Sequence, residues 1–340
     1  MIDWLDIVVQ VDHVPAPAGR LDSTDQDGVH EWSVVKRMPL RGSYDKRIMI
    51  RSQGSSGNGL ASEIYISGNP SKFLQGHNVF GSNDIDLLAT AITEKVFNVL
   101  KISDDVALQR VKKGEYSIKR VDITESFFFD SPSEVKAVLS ALAVQSRTRM
   151  GRAQTSGGTV YHGQKSRRFT IKFYDKGEEL KSGKSHSLPD DLPCRERLTE
   201  YATHLLRVEV TLRTLELKKL NISTGVHIRH RIASLFKHYL GKTEMNTQAK
   251  IVSDELQYMK RAIRSTYLLW EKGIDVRSMM SKASFYSHRS QILAYGIDIA
   301  IPHEGFNNVI PMFRTVIGQA VSIPTWAQQA GLVYERASQC

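Results

Sequence analysis

The run Arg168-Phe169-Thr170-Ile171-Lys172-Phe173-Tyr174-Asp175-Lys176 sets a phenol hydroxyl between two amines. Phe169, Ile171 and Phe173 alternate with polar residues, which predicts a half-buried strand with Tyr174, Lys172 and Thr170 on its polar face. A tyrosine flanked by lysines, with a strongly basic segment upstream, suits a nucleophile that attacks a phosphate. A tyrosine whose ring packs and whose hydroxyl stays wet has the same local pattern, so the elements around it decide.

Three further runs have two faces. In Lys119 to Glu125, Val121 and Ile123 oppose Asp122 and Thr124. In Leu205 to Arg213, the apolar residues Leu206, Val208, Val210 and Leu212 oppose Arg207, Glu209, Thr211 and Arg213. Ala61 to Ser67 directs Glu63 away from Ile64 and Ile66. If these strands share one antiparallel sheet, one face is core and the other carries Asp122, Glu209, Glu63 and Tyr174. Carboxylates beside a tyrosine could make a metal-and-nucleophile site; a solvated sheet face charged for solubility gives the same alternation.

A chain of 340 residues exceeds the usual single domain, so two domains, or one with a helical appendage, are expected. The net charge of +10 favours a polyanionic partner, either nucleic acid or an anionic membrane surface. No apolar run approaches the roughly 20 residues that span a bilayer. Met1-Ile2-Asp3-Trp4-Leu5-Asp6 is acidic where a signal peptide is basic, which points to the cytosol. Cys194 and Cys340 are too few for a disulfide framework or a cysteine-based zinc site.

A first strand is expected near Leu5 to Val11, then a loop from Pro15 to Asp27, rich in Pro, Gly and Asp. After Asp84 or a neighbouring cap, Ile85, Leu88, Ile92, Val96 and Val99 keep helical spacing. Ser131-Pro132-Ser133-Glu134 has a capping-box pattern and starts a second helix burying Val135, Val138, Leu139 and Leu142. Thr159 to Gly163 pairs with Phe169 to Tyr174 as a hairpin, so the fold class is α+β, with an antiparallel sheet rather than a parallel one. From about Ile222 the pattern turns helical, through Ile232, Leu235, Phe236 and Tyr239, then Ile251 to Trp270, then Phe285 to Tyr295 ended by Gly296. The simplest division is a first domain over 1–221 and a mainly helical second over 222–340.

Arg147, Arg149, Arg152, Lys165, Arg167, Arg168 and Lys172 fall between the second helix and Tyr174 with no acidic residue among them. Such a cluster neutralises DNA phosphates without reading sequence, or is simply a solvated charge run.

Several stretches carry a resemblance. Lys72-Phe73-Leu74-Gln75-Gly76-His77-Asn78-Val79-Phe80-Gly81 resembles the matching stretch of the gene II replication initiators of filamentous phages. Arg120-Val121-Asp122-Ile123-Thr124 resembles their Arg-Ile-Asp strand, and Arg207-Val208-Glu209 their Arg-Phe-Glu strand. Phe173-Tyr174-Asp175-Lys176 is similar to their Tyr-Leu-Lys motif and to the Tyr-Asx-Lys motif of plasmid rolling-circle initiators. Asn307 to Arg314, with Pro324-Thr325-Trp326, resembles the part of gene II also made separately as the gene X product. The similarity is scattered over about residues 60 to 326 and is most specific at Gln75-Gly76-His77-Asn78.

The resemblance implies an HUH-endonuclease-like fold, with an antiparallel sheet and helices packed on one face. It implies rolling-circle initiation: a nick in one strand of the double-stranded DNA origin by tyrosine attack, leaving a 5′-phosphotyrosine and a 3′-hydroxyl, and later rejoining of the displaced single-stranded DNA. Host helicase and polymerase, and self-association at the origin, come with it. Tyr174 would be the nucleophile, and Lys176 would stabilise the phosphotyrosine or lower the phenol's pKa. Mg²⁺ or Mn²⁺ would be held by Asp122, Glu209 and His77, with Glu63 in reserve. The superfamily's His-hydrophobe-His pair is absent, since His77-Asn78-Val79 offers one imidazole, and Asp175 stands where the phage motif has Leu. Tyr161 is open as an auxiliary in strand closure, and Met245 before Asn246 as an internal start. A DNA-binding regulator that does not cleave fits the same composition. An RNA-binding protein fits less well, because the sheet face carries carboxylates rather than base-stacking aromatics.

Overall fold

A computed structural model of the chain describes residues 1–148, 151–183, 185–245, 253–293, 297, 299–300 and 320–334. Its strands in chain order are β1 (Ile2–His13), β2 (Arg20–Thr24), β3 (His30–Val35), β4 (Met38–Arg41), β5 (Arg47–Gln53), β6 (Ala61–Gly68) and β7 (Ser117–Phe128). They continue with β8 (Ser146–Thr148), β9 (Gly151–Arg152), β10 (Gln154–Ser156), β11 (Thr159–His162), β12 (Phe169–Asp175) and β13 (Leu205–Arg213). Nine of them form one sheet, in the order β10-β11-β12-β13-β7-β1-β6-β5-β4. Every pairing in it is antiparallel.

The fold is therefore α+β, as the alternation requires. Val121 and Ile123 of β7, Ile171 and Phe173 of β12, and Val208 and Val210 of β13 are buried in one apolar core. Helices α1 (Pro70–Gln75), α2 (Ile85–Leu100), α3 (Asp105–Lys112) and α4 (Pro132–Gln145) precede α5 (Lys176–Lys181) and α6 (Arg195–Thr203). Leu88, Ile92 and Val96 of α2 and Val135, Val138 and Leu142 of α4 supply the other half of that core. Each such side chain contributes about 1.5–3 kcal/mol by leaving water. The starts are set locally: the Asp84 carboxylate accepts from the N–H groups of Asp86 and Leu87, and Ser131 and Glu134 form a reciprocal capping box on α4.

Beyond β13 lie α7 (Thr214–Lys219), α8 (Gly225–Ile228), α9 (Ile232–Leu240), α10 (Ser253–Tyr258), α11 (Arg261–Glu271), α12 (Lys282–Leu293) and α13 (Thr325–Gln329). Ile232, Leu235 and Phe236 of α9 pack into the sheet's core, whereas Ile263, Tyr267 and Trp270 of α11 form a separate cluster with Phe285 and Ile292 of α12. A third cluster joins Val79, Phe80, Leu180 and Leu198 to Ala327 and Leu332, so the 320–334 segment folds back onto the α+β body.

The expected loop from Pro15 to Asp27 is corrected in part. Residues Arg20–Thr24 pair with His30–Val35 as a hairpin. Leu21 (49 % exposed), Trp32 (51 %) and Val34 share one face of the hairpin by register but stay in solvent, so the hairpin covers no core. Gly296, Asn307 to Arg314 and Asn246 lie outside the described residues, while Met245 pairs with Ser146. Among the described residues no helix is long and apolar enough to cross a membrane.

Candidate active site

The sheet face opposite the α2 and α4 helices carries the polar residues of the alternating strands, and the register decides which of them meet. Lys172 lies opposite Glu209, and Tyr174 opposite Arg207, across β12 and β13. Thr211 of β13 faces Asp122 of β7, which in turn faces Trp4 of β1. A cleft of about 970 Å³ opens over this patch, lined among others by Tyr174, Lys172, Glu209, Asp122 and Asp3.

Tyr174 is 8 % exposed, and its hydroxyl has no hydrogen bond to a described residue. Burial, then the charge of Glu209, pushes its pKa well above the ordinary phenol value. Lys172 donates to Glu209 Oε1 at 2.5 Å. Burial, then the neighbouring charges of Asp122 and Asp3, pushes the Glu209 carboxyl upward against the pull of Lys172. Asp122, 2 % exposed, accepts from Arg120 Nε at 2.8 Å and Nη2 at 2.5 Å. Asp3 accepts from the side-chain amides of Asn69 at 2.9 Å and Asn78 at 2.8 Å.

Lys176 lies beneath this surface rather than on it, with no exposed area. Its Nζ donates to Asn78 Oδ1 at 2.8 Å and Glu179 Oε2 at 2.5 Å. Burial, helped by Arg207 and Lys72, lowers its pKa to about 8 despite Glu179. Asp175, the residue that departs from the phage motif, caps α5 by accepting from the Glu178 N–H at 3.0 Å, and so seats Lys176 at the helix start.

His77 does not join Asp122 and Glu209. Its Nδ1 accepts from the Val79 N–H at 3.3 Å, which leaves Nε2 as the donor to the Leu332 carbonyl at 2.7 Å. The ring is 1 % exposed and burial lowers its pKa to about 4. With both nitrogens committed it has no lone pair for a cation. Glu63 is on the same sheet face but outside the cleft lining, accepting from Gln10 at 2.6 Å and Gln53 at 2.8 Å. The carboxylates of Asp122 and Glu209 are the oxygen donors a hard divalent cation takes, and their mutual repulsion is what such a charge relieves. They are paired here with Arg120 and Lys172, and among the described residues no three His, Cys, Asp or Glu side chains converge as metal ligands.

Among Lys165, Arg167, Arg168 and Lys172 of the basic segment, Lys172 lines the cleft. Lys165, Arg167 and Arg168 are exposed on the β11–β12 connection, Arg168 lying 3.4 Å from Glu216. Arg147 and Arg152 are register partners in β8 and β9, and Arg149 lies outside the described residues. Tyr161, opposite Lys172 on β11, lines the cleft beside Tyr174.

Sequence reasoning passed over Asp3, Asn78 and Arg207. Arg207, fully buried, donates from Nη2 to the carbonyls of Asn78 (2.9 Å) and Val79 (2.8 Å), tying β13 to the Gln75–Phe80 turn. An arginine at the head of an otherwise apolar alternation was its signal. Asn78 stands in the most specific motif run, while Asp3 has no local signal.

Two family models match the chain: the N-terminal part of the phage replication-associated protein, the gene II product, over residues 1–266, and the C-terminal part of the same protein over residues 251–333. The replication-associated protein of Enterobacteria phage I2-2 is 38 % identical over 330 residues, 96 % of each chain. That of Enterobacteria phage M13 is 28 % identical over 186 residues, 50 % of this chain and 44 % of its own. With both parts of the family matched in order along nearly the whole length, the chain belongs to the family of phage replication-associated proteins encoded by gene II.

Proposed function

We propose that the protein initiates rolling-circle replication by nicking one strand of a double-stranded phage origin through Tyr174. The observation that carries this is a buried phenol with no hydrogen bond to a described residue, in a cleft of paired charges, in a family named for replication. The Tyr174 oxygen attacks the phosphorus, the bond to the 3′-oxygen breaks, and the departing oxygen takes a proton in place of the one the phenol gave up. One phosphoester replaces another, so the 5′-phosphotyrosine conserves the bond energy, and the reverse attack by a 3′-hydroxyl rejoins the displaced single strand.

Burial and nearby negative charge hold Tyr174 protonated, so its ionisation needs positive charge beside the phenol. Lys172 stands on the adjacent polar position for that task, and Lys176 acts from below by fixing Asn78 and Glu179. Asp122 and Glu209 would hold Mg²⁺ or Mn²⁺, which when bound neutralises charge on the non-bridging phosphate oxygens. Lys165, Arg167 and Arg168 offer exposed cations for flanking duplex. The nicking unit is proposed to lie within residues 1–221 and to be buttressed by α9, with the mainly helical remainder of 222–340 contacting DNA, a second copy at the origin, or the host helicase and polymerase.

The test is incubation with supercoiled DNA carrying the phage's own origin plus Mg²⁺ or Mn²⁺. Nicked circles with protein attached at Tyr174, and none with Tyr174→Phe, are expected. Binding without any nick under both metals would sink the nuclease reading in favour of a non-cleaving origin-binding regulator.

A further inference from the structure

The cleft is lined by Arg120, Lys172, Lys46, Lys72 and the exposed Arg47, with Lys176 buried beneath it. Arg120 is matched by Asp122, Lys172 by Glu209 and Lys176 by Glu179. Lys46 and Lys72 instead point at backbone carbonyls: Lys46 Nζ donates to Ser187 O at 3.0 Å and Lys72 Nζ to Ser185 O at 3.5 Å. A carbonyl dipole orients an ammonium without cancelling its charge. Glu179 is 3.8 Å from Lys72, but it already accepts from Lys176 at 2.5 Å and meets His186 at 2.6 Å. Burial and the charge of Lys72 lower the pKa of Lys46, as expected of like charges facing one space.

The wall that carries them is firmly built. Lys46 follows a turn in which Tyr44 (φ 52°) and Asp45 (φ 56°) both adopt the left-handed region, a costly choice for residues with a Cβ. Ser43 anchors that turn by donating to the Leu74 carbonyl at 2.8 Å. Tyr44 packs its ring on Gly76, where a Cβ would lie 2.3 Å from Cδ2. Gly76 also needs its φ of +86° to end α1, the helix that carries Lys72. Both amines and Tyr174 line the same cleft.

We propose that Lys46 and Lys72 form a phosphate subsite that grips the single-stranded DNA backbone next to the phosphodiester presented to Tyr174. This rests on the nicking reading for its register, since the subsite places a neighbouring phosphate while Tyr174 receives the scissile one. Among the described residues, Lys46 and Lys72 have only Glu179 as a carboxylate partner, and it is already shared with Lys176 and His186, so the surplus positive charge on this wall fits an anion that arrives with the substrate.

The experiment uses the full chain and a labelled single-stranded oligonucleotide from the origin, with affinity read by fluorescence anisotropy across salt concentrations. Lys46→Gln with Lys72→Gln should weaken binding at least tenfold at low salt and reduce the slope of log K against log salt by about 1.4, roughly 0.7 per lost phosphate contact. Lys46→Arg with Lys72→Arg should keep most of the slope, and Lys95→Gln, an exposed lysine on α2, should leave it unchanged. Wild-type affinity and slope in the folded Gln double variant overturn the subsite. Should that variant fail to fold, the single variants carry the test, and unchanged slopes in both overturn it equally. Covalent attachment at Tyr174 is scored separately: slopes that fall without any adduct in the wild type keep the subsite and remove the nicking reading, and an adduct with unchanged slopes does the reverse.

Discussion

Replacing His77 by Gln should flatten the protein's loss of stability in mild acid while leaving divalent-ion binding as it was. The His77 ring is buried between the Val79 N–H and the Leu332 carbonyl, and burial holds its pKa at about 4 against 6.5 for a free imidazole. Below pH 6.5 the unfolded chain takes up a proton that the folded chain refuses. This contribution is therefore complete above pH 6.5 and is lost as pH falls toward 4. The full difference amounts to about 3 kcal/mol, of which about 2 kcal/mol disappears between pH 7 and pH 5. Glutamine retains an amide N–H for Leu332 and cannot titrate. Urea unfolding followed by tryptophan fluorescence at pH 7, 6 and 5 should show the variant losing about 2 kcal/mol less than wild type over that interval. His77→Ala, which leaves the Leu332 carbonyl unpaired beside a small cavity, should cost about 2–3 kcal/mol at pH 7. Equal acid losses in wild type and His77→Gln would refute the buried-donor role, and a large drop in Mn²⁺ affinity in that variant would restore the imidazole as a ligand.

Glu209→Gln should gain stability relative to wild type as pH rises from 5 to 8. Burial and Asp122 raise the folded carboxyl above its unfolded value of 4.5, so the native state holds a proton that the unfolded state releases, and wild-type stability falls with rising pH; a pH-independent difference in urea midpoints contradicts this. Ser131→Ala breaks the capping box of α4 and should cost about 1 kcal/mol, seen as a melting temperature lower by about 2–4 °C. Trp326→Ala removes a ring packed 6.1 Å from Phe80 and 6.0 Å from Tyr201, under the Arg197 guanidinium at 4.5 Å. It should cost about 2 kcal/mol and expose the 320–334 segment to limited proteolysis while the sheet stays protected; unchanged cleavage there would show that the segment is held by its other contacts.

The face of the sheet on which each residue lies was legible from the chain alone, because strand alternation has a period of two and is set by neighbours in sequence. Val121 and Ile123 had to oppose Asp122, and Phe173 had to oppose Tyr174, once their strands formed. Helix starts were legible for the same reason, since Asp84 and Ser131 satisfy N–H groups two and three residues away. The charge partners were not. Lys172 meets Glu209 only through the β12–β13 register, whereas Asp122, the local exception, pairs with Arg120 two residues away on its own strand. Lys46 and Lys72 find their carbonyls more than a hundred residues along the chain. His77 looked like a ligand in its motif, yet its donor bond goes to Leu332, 255 residues away, from a segment with no local feature to announce the contact. A buried polar group takes whichever partner the packed structure brings within about 3 Å, and that partner is decided by tertiary contacts rather than by residues adjacent in sequence.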